Sequence, residues 1–200
     1  MNELLAFVSL NAGLARLEPL SPAHLEGLQR ASDDGQQWRL WYTAVPRPEA
    51  MAAEITRRLS LHTNGQMLPF TVFDAYDQVV GMTSFMNIDS VHRRVEIGST
   101  WYGARAQRTG LNTECKLLLL RHAFDTLGCI AVEFRTHRLN SASRRAIERL
   151  GAQLDGILRS HQRAADGTLR DTAVYSITAS EWPTIQTHLQ WLLQKPRKTA

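Results

Sequence analysis

The chain has 200 residues, 44% of them hydrophobic and 21% charged, with a formal net charge of +4; this composition suits one domain with its own core and excludes an intrinsically disordered chain. The apolar run Leu117 to Leu120 is enclosed by Lys116 and Arg121, and no apolar run approaches the roughly 20 residues that span a bilayer. The opening Met1-Asn2-Glu3-Leu4-Leu5 lacks the basic stretch and small-residue cleavage site of a secretion signal, so a cytoplasmic protein without membrane contact is expected.

Residues 14–19 predict a first strand, and Ser21-Pro22 then supplies a capping serine with proline at the first helical position, for a helix running to about Ser32. Asp33 to Pro48 carries Trp38, Trp41 and Tyr42 together with Pro46 and Pro48, the composition of a loop that packs on something or binds it. A second helix is expected over residues 49–62, ended by Asn64-Gly65. The period then changes. Residues 67–75, 78–88 and 92–102 are rich in Val, Ile, Phe, Thr and Met and are separated by the turn pairs Tyr76-Asp77 and Asp89-Ser90, which predicts an antiparallel meander.

Leu117, Leu120, Phe124 and Leu127 recur at helical steps, so a helix is expected over residues 113–127, closed by Gly128. Ile130 to His137 alternates like a strand, and Ala142, Ala146, Ile147 and Leu150 line one face of a short helix ending at Gly151. Strands over 153–163 and 168–178 flank the hairpin signal Asp166-Gly167, and a last helix opens at Ser180-Glu181-Trp182-Pro183 with Ser180 as its expected cap. Cys115 and Cys129 sit in apolar surroundings and predict buried thiols, with neither a disulfide framework nor a metal site. The order of elements predicts a single α+β domain over residues 1–200: a mixed, mostly antiparallel sheet of about seven strands flanked by helices.

The segment richest in chemical meaning is Gln107-Arg108-Thr109-Gly110-Leu111-Asn112, where a strand hands over to the central helix. Free amides at a helix start, the positive end of the helix dipole and a glycine that lets the backbone approach make an anion cradle, and a pyrophosphate fits such a cradle. A plain strand-to-helix loop is the alternative for an isolated glycine. The turn resembles the signature of the GNAT superfamily of N-acetyltransferases, Gln or Arg, two residues, Gly, one residue, Gly or Ala, with Asn112 departing from the small last residue. Glu96-Ile97-Gly98, the run Asn112 to Lys116 and the closing Glu181-Trp182-Pro183 look like the branch of ribosomal-protein N-terminal acetyltransferases of Rim type.

That resemblance implies acetyl-coenzyme A as cofactor and direct acetyl transfer to a primary amine through a tetrahedral intermediate. It places coenzyme A on Gln107 to Asn112, on the main chain of Ser99, Thr100 and Trp101, and on Asn140. It assigns Glu96 to draw the proton from the amine and Ser143 to protonate the departing thiolate. Trp38, Trp41 and Tyr42 would form a wall of the acceptor site. Each residue also has a plainer reading: Glu96 as a surface carboxylate paired with Arg93 or Arg94, Asn140 as a helix cap, Gly98 as a packing glycine, and Arg138, Arg144, Arg145 and Arg149 as a solvated basic face rather than a phosphate contact. The expected acceptor is the amino terminus of a protein or peptide, with a small-molecule amine or a non-catalytic coenzyme A-binding role as alternatives. A homodimer through the last helix is also expected. No nucleic-acid-binding motif is present in the sequence, so such a partner is not expected.

Overall fold

The computed structural model describes residues 3–164 and 166–195. Its elements in chain order are β1 (Leu10–Asn11), β2 (Ala15–Pro19), α1 (Leu25–Asp33), α2 (Met51–Thr63), β3 (Met67–Asp74), β4 (Val79–Asp89) and β5 (Arg94–Tyr102), then α3 (Leu111–Arg121), β6 (Ala131–His137), α4 (Ser141–Arg149), β7 (Gln153–Arg163), β8 (Leu169–Thr178) and α5 (Trp182–Gln194). One eight-stranded sheet results, in the order β1-β2-β3-β4-β5-β6-β8-β7. Every pairing is antiparallel except β5 with β6, which the α3 crossover makes parallel. The eighth strand is the two-residue β1, too short to show a period in sequence.

Most boundaries follow the local chemistry. The Ser21 hydroxyl accepts the Ala23 amide at 3.2 Å while the Ser21 amide donates to His24 Nδ1 at 3.3 Å, a reciprocal cap on a 3-10 turn that leads into α1. Asp77 takes the left-handed conformation in the turn between β3 and β4, and Gly167 does so between β7 and β8. Two expectations need correction. The central helix starts at Leu111 and changes after Arg121 to one π turn, His122–Thr126, with the Leu127 amide donating to the His122 carbonyl at 3.0 Å before Gly128 ends it at φ 62°. Ser180 is not the cap of the last helix. Glu181 precedes α5 and its carboxylate accepts the Thr178 amide and hydroxyl, both at 2.8 Å, so the acid fastens the turn instead.

The central strands are buried on both faces, which is why β3 reads as a continuous apolar run. On one face Phe70, Val72, Phe85, Val95, Ile97, Val132, Phe134, Tyr175 and Ile177 pack under α3, α4 and α5. On the other, Leu28, Met51, Ile55, Met82 and Trp101 form a smaller core beneath α1 and α2. The second core stops at β5: past it the strand face carries Glu133, Arg135 and Val174, all only half-buried.

A fully buried guanidinium ties α2 to this sheet. Arg58, 2% exposed, donates from Nε to Glu54 at 2.7 Å, from one terminal nitrogen to the Ser84 hydroxyl and from the other to the Ser99 carbonyl, both at 3.2 Å. Arg58→Ala would leave the Ser99 carbonyl buried without its donor and Glu54 with Arg57 alone; we expect urea unfolding to show a loss of about 3–5 kcal/mol.

Candidate active site

The site is built on an irregularity in β5. Gly98 stands opposite Ser84 and Trp101 opposite Met82, so two residues, Ser99 and Thr100, face the single Thr83. This is a β-bulge, and Ser99 adopts φ 50° to make it. The extra residue reverses which face each later side chain meets: Val95 and Ile97 lie in the core under α3, as does Tyr102, whereas Trp101 joins the core under α1 and α2. The Arg58 contact to the Ser99 carbonyl holds the bulge from below.

The ladder between β5 and β6 has three rungs, Arg94 with Ala131, Val95 with Val132 and Glu96 with Glu133, although both strands continue well beyond them. Past Glu96 the edge of β5 that faces β6 has no strand partner, and its main-chain groups, those of Ser99, Thr100 and Trp101 among them, line a slot. Glu96 sits at the mouth of the slot.

The Glu96 carboxylate is 5% exposed and is paired with neither Arg93 nor Arg94, so the surface-carboxylate alternative is excluded. Arg94 binds Glu133 at 2.6 Å, and Arg93 reaches Glu3 at 3.9 Å. Glu96 instead accepts the Asn87 amide at 2.6 Å and has Arg135 Nε at 3.6 Å. Burial raises its pKa above the usual carboxylate range, against the opposing pull of Arg135 and Asn87. A Cβ on Gly98 would lie 2.5 Å from the Glu96 carboxylate and 2.8 Å from the Met86 sulfur, so glycine there clears room for the acid.

The turn into α3 shows which of its parts are structural. Gln107 donates to the Tyr102 carbonyl at 2.9 Å, and the Thr109 hydroxyl donates to the Ala106 carbonyl at 2.7 Å while accepting the Leu111 amide at 3.2 Å. Arg108, not Gly110, takes the left-handed conformation at φ 58°. Gly110 has right-handed dihedrals, so its distinction is the missing side chain beside a helix start. The amides of Arg108 and Gly110 donate to no described residue. Glu114 anchors the turn, its carboxylate accepting the Leu14 and Ala15 amides at the start of β2.

Asn140 caps α4, its side-chain oxygen accepting the Ser143 amide at 3.0 Å, as the plainer reading of the sequence holds. Its amide nitrogen and the half-buried Ser143 hydroxyl remain free of hydrogen bonds among the described residues. Arg144 is committed to the Tyr175 hydroxyl at 2.8 Å and Arg138 to Asp171 at 3.4 Å, whereas Arg145 and Arg149 are exposed.

The aromatic loop divides. Trp41, 61% exposed, meets His137 at the end of β6 edge-on and Tyr42 meets it tilted, with ring centroids 5.1 Å and 6.3 Å away. Trp38 turns to Arg39 and Arg47, which lie over its ring. The structure therefore brings Trp41 and Tyr42 to the open strand face with His137 and leaves Trp38 as the pin of the loop. Asn87 and Arg135 were not selected from the sequence; only the fold brings them to Glu96, and His137 stands further along the same face of β6.

One further buried group lies at the bulge. Lys116 on α3 reaches the Thr100 hydroxyl at 2.9 Å and that of Thr83 at 3.4 Å, and burial without a carboxylate lowers its pKa to about 8. Both thiols are buried, and burial raises Cys115 to about 12. Among the described residues no group of acids, histidines and cysteines fits a metal, and no helix is long and apolar enough to cross a membrane.

The family described as acetyltransferase (GNAT) domain matches residues 15–153. A GCN5-related N-acetyltransferase from Brucella melitensis is 32% identical with a TM-score of 0.82 over 94% of this chain and 86% of that one. The uncharacterized N-acetyltransferase p20 of Bacillus licheniformis is 28% identical over 61% of this chain and 68% of its own length. Two more distant structures share the fold: RimJ of Mycobacterium smegmatis in complex with CoA-disulfide, at 21% identity, TM-score 0.77 and 93% of both chains, and a Salmonella typhimurium acetyltransferase that modifies the N-terminal serine of ribosomal protein L7/L12, at 17%, 0.74, 86% of this chain and 99% of that one. The chain belongs to the GNAT family of acetyltransferases. It is an acetyl-coenzyme A-dependent N-acetyltransferase, with structural neighbours in the Rim branch.

The raised pKa of Glu96 carries a stability prediction with a definite sign. A carboxyl that holds its proton more tightly when folded costs stability as pH rises from its unfolded value through its folded one. Glu96→Gln removes that cost, so its melting temperature relative to wild type should climb between pH 4 and pH 7. A constant difference across that range would show Glu96 to be as easily ionised folded as unfolded.

Proposed function

We propose that the protein acetylates the amino terminus of a peptide or protein. The observation that carries this reading is the shape of the ground in front of Glu96. Beyond that residue lies a shallow hollow of about 280 Å³ lined by residues that include Glu133, Arg135, Asp155 and Val174. It lies along open strands instead of in a closed chamber. An extended chain can lie on such a face with its first amine at Glu96 and its body against Trp41 and Tyr42, whereas a small free amine gains few contacts there. The likeness of fold to RimJ and to the L7/L12-modifying enzyme supports the same acceptor class.

Two features of this chain fit coenzyme A. The unpaired edge of β5 at Ser99, Thr100 and Trp101 offers main-chain partners to an amide-bearing arm, and the free amides at Arg108 and Gly110 beside the start of α3 suit a pyrophosphate. Gln107 and Thr109 act by shaping that turn, Leu111 and Asn112 by opening the helix, and Asn140 by presenting its free amide nitrogen. Bound acetyl-coenzyme A supplies the thioester. Glu96, ionised above its raised pKa, accepts the proton of the ammonium group so that the amine is neutral, and Ser143 lies free to give a proton at the start of α4.

Acetyl-coenzyme A-dependent thiol release across amino-terminal peptides, free amino acids, polyamines and aminoglycosides tests the acceptor class; peptides should give the highest kcat/KM, and release confined to the small amines would overturn it. Gly110→Trp should lower coenzyme A affinity about tenfold or more in titration calorimetry by filling the cradle. Ser143→Ala should cut kcat while coenzyme A affinity stays within about twofold, as expected of a proton donor rather than a binding group.

A further inference from the structure

The open strand face is crowded with arginines, and nearly all of them have an acid. Arg94 and Arg135 share Glu133, and Arg138 and Arg159 share Asp171. Arg170 is the exception. It lies on β8 in the alternating series with Thr172, Val174 and Ser176, the series that carries Thr172 beside His137 and Ser176 beside Glu133 on β6. Its Nε is shut off from solvent and has no hydrogen-bond partner, and no carboxylate among the described residues lies within 4.0 Å of its guanidinium.

Register sets the position. Arg170 is one same-face step beyond Thr172, which stands opposite His137, so it lies at the end of the open face where Trp41 and Tyr42 rest on His137, and its charge is felt at both Glu96 and His137. Glu96 does not serve as its partner, being held by Asn87 and Arg135. Arg170 is half-buried, and shutting its Nε off from water without a partner is costly, since buried polar groups in folded proteins almost always have one. A planar fork of donors matches a carboxylate, which neutralises the single charge through two parallel hydrogen bonds.

We infer that Arg170 is a specificity residue for the acceptor, binding a carboxylate that the acceptor carries near its reacting amine. This rests on the acetyltransferase reading above and narrows it. A carboxylate of this kind has two sources: the acidic side chain of a peptide's first or second residue, or the α-carboxylate of a free amino acid. Either places its amine at Glu96 and its anion at Arg170.

Matched acceptor pairs that differ only in the carboxylate test the assignment by thiol release: peptides beginning Asp against Asn and Glu against Gln, peptides with either acid or its amide at the second position, and alanine against alaninamide. Wild type should favour the carboxylate member of at least one pair by about 10- to 100-fold in kcat/KM. The pair that shows the preference names the source. Arg170→Gln should bring that ratio close to one, chiefly through KM, and Arg170→Lys should restore part of it. The ratio is taken within one preparation, so incomplete folding of a variant does not imitate the effect. Turnover without discrimination in wild type, or a preference that survives Arg170→Gln, would overturn the role of Arg170 alone. No turnover on any acceptor would overturn the amino-terminal acceptor reading and this inference with it.

Discussion

The grip of Arg58 on the Ser99 carbonyl is the contact on which the arrangement of the site depends. A non-glycine residue at positive φ is strained and persists only where its surroundings fix it. Here a buried guanidinium, balanced by Glu54, does so from the helix layer. Because the bulge is held, β5 changes face after Gly98, Thr100 meets Lys116 under α3, and Trp101 fills the core under α1 and α2. The strand then continues without β6 as a partner. The slot follows from a sheet that pairs for three rungs and then divides.

The electrostatics of the site run against stability. Glu96 is buried enough that its pKa rises, Lys116 enough that its pKa falls, and Arg170 keeps a shielded Nε without a partner. Burial charges each group a desolvation cost that a structural role would not require. All three lie on the two strands and the crossover helix that border the slot and the open face. Elsewhere ionic groups are conventionally paired, as with Arg16 and Asp77 beside β2 or Arg57 and Glu54 on α2. Desolvated charge gathered along one region is what makes this face the candidate site.

Much of this was legible in the chain. Seven strands, the helices between them, the Asp166-Gly167 hairpin and the Ser21 cap rest on periodicity and on side chains that bond their own backbone, so a short window of sequence contains their cause. The turn Gln107 to Asn112 was legible as a strand-to-helix turn for the same reason, though the assignment of the left-handed residue to Arg108 was not. Ser180 misled because a serine before a helix is an ordinary cap, while the actual arrangement used Glu181 to bind backwards to Thr178 across a turn.

What the sequence by itself determined is the α+β order of elements, the meander and crossover, and the family the turn Gln107 to Asn112 resembles, since these depend on local pattern and on motif chemistry. Only the tertiary structure decided which charges meet. Glu96 stood between a surface pair with its chain neighbours and a buried acid, and the fold chose Asn87 and Arg135 from two other strands. It likewise separated Trp38 from Trp41 and left Arg170 without an acid. Such contacts join residues tens of positions apart, through the register of strands and a single bulge, and no local preference of the chain encodes them.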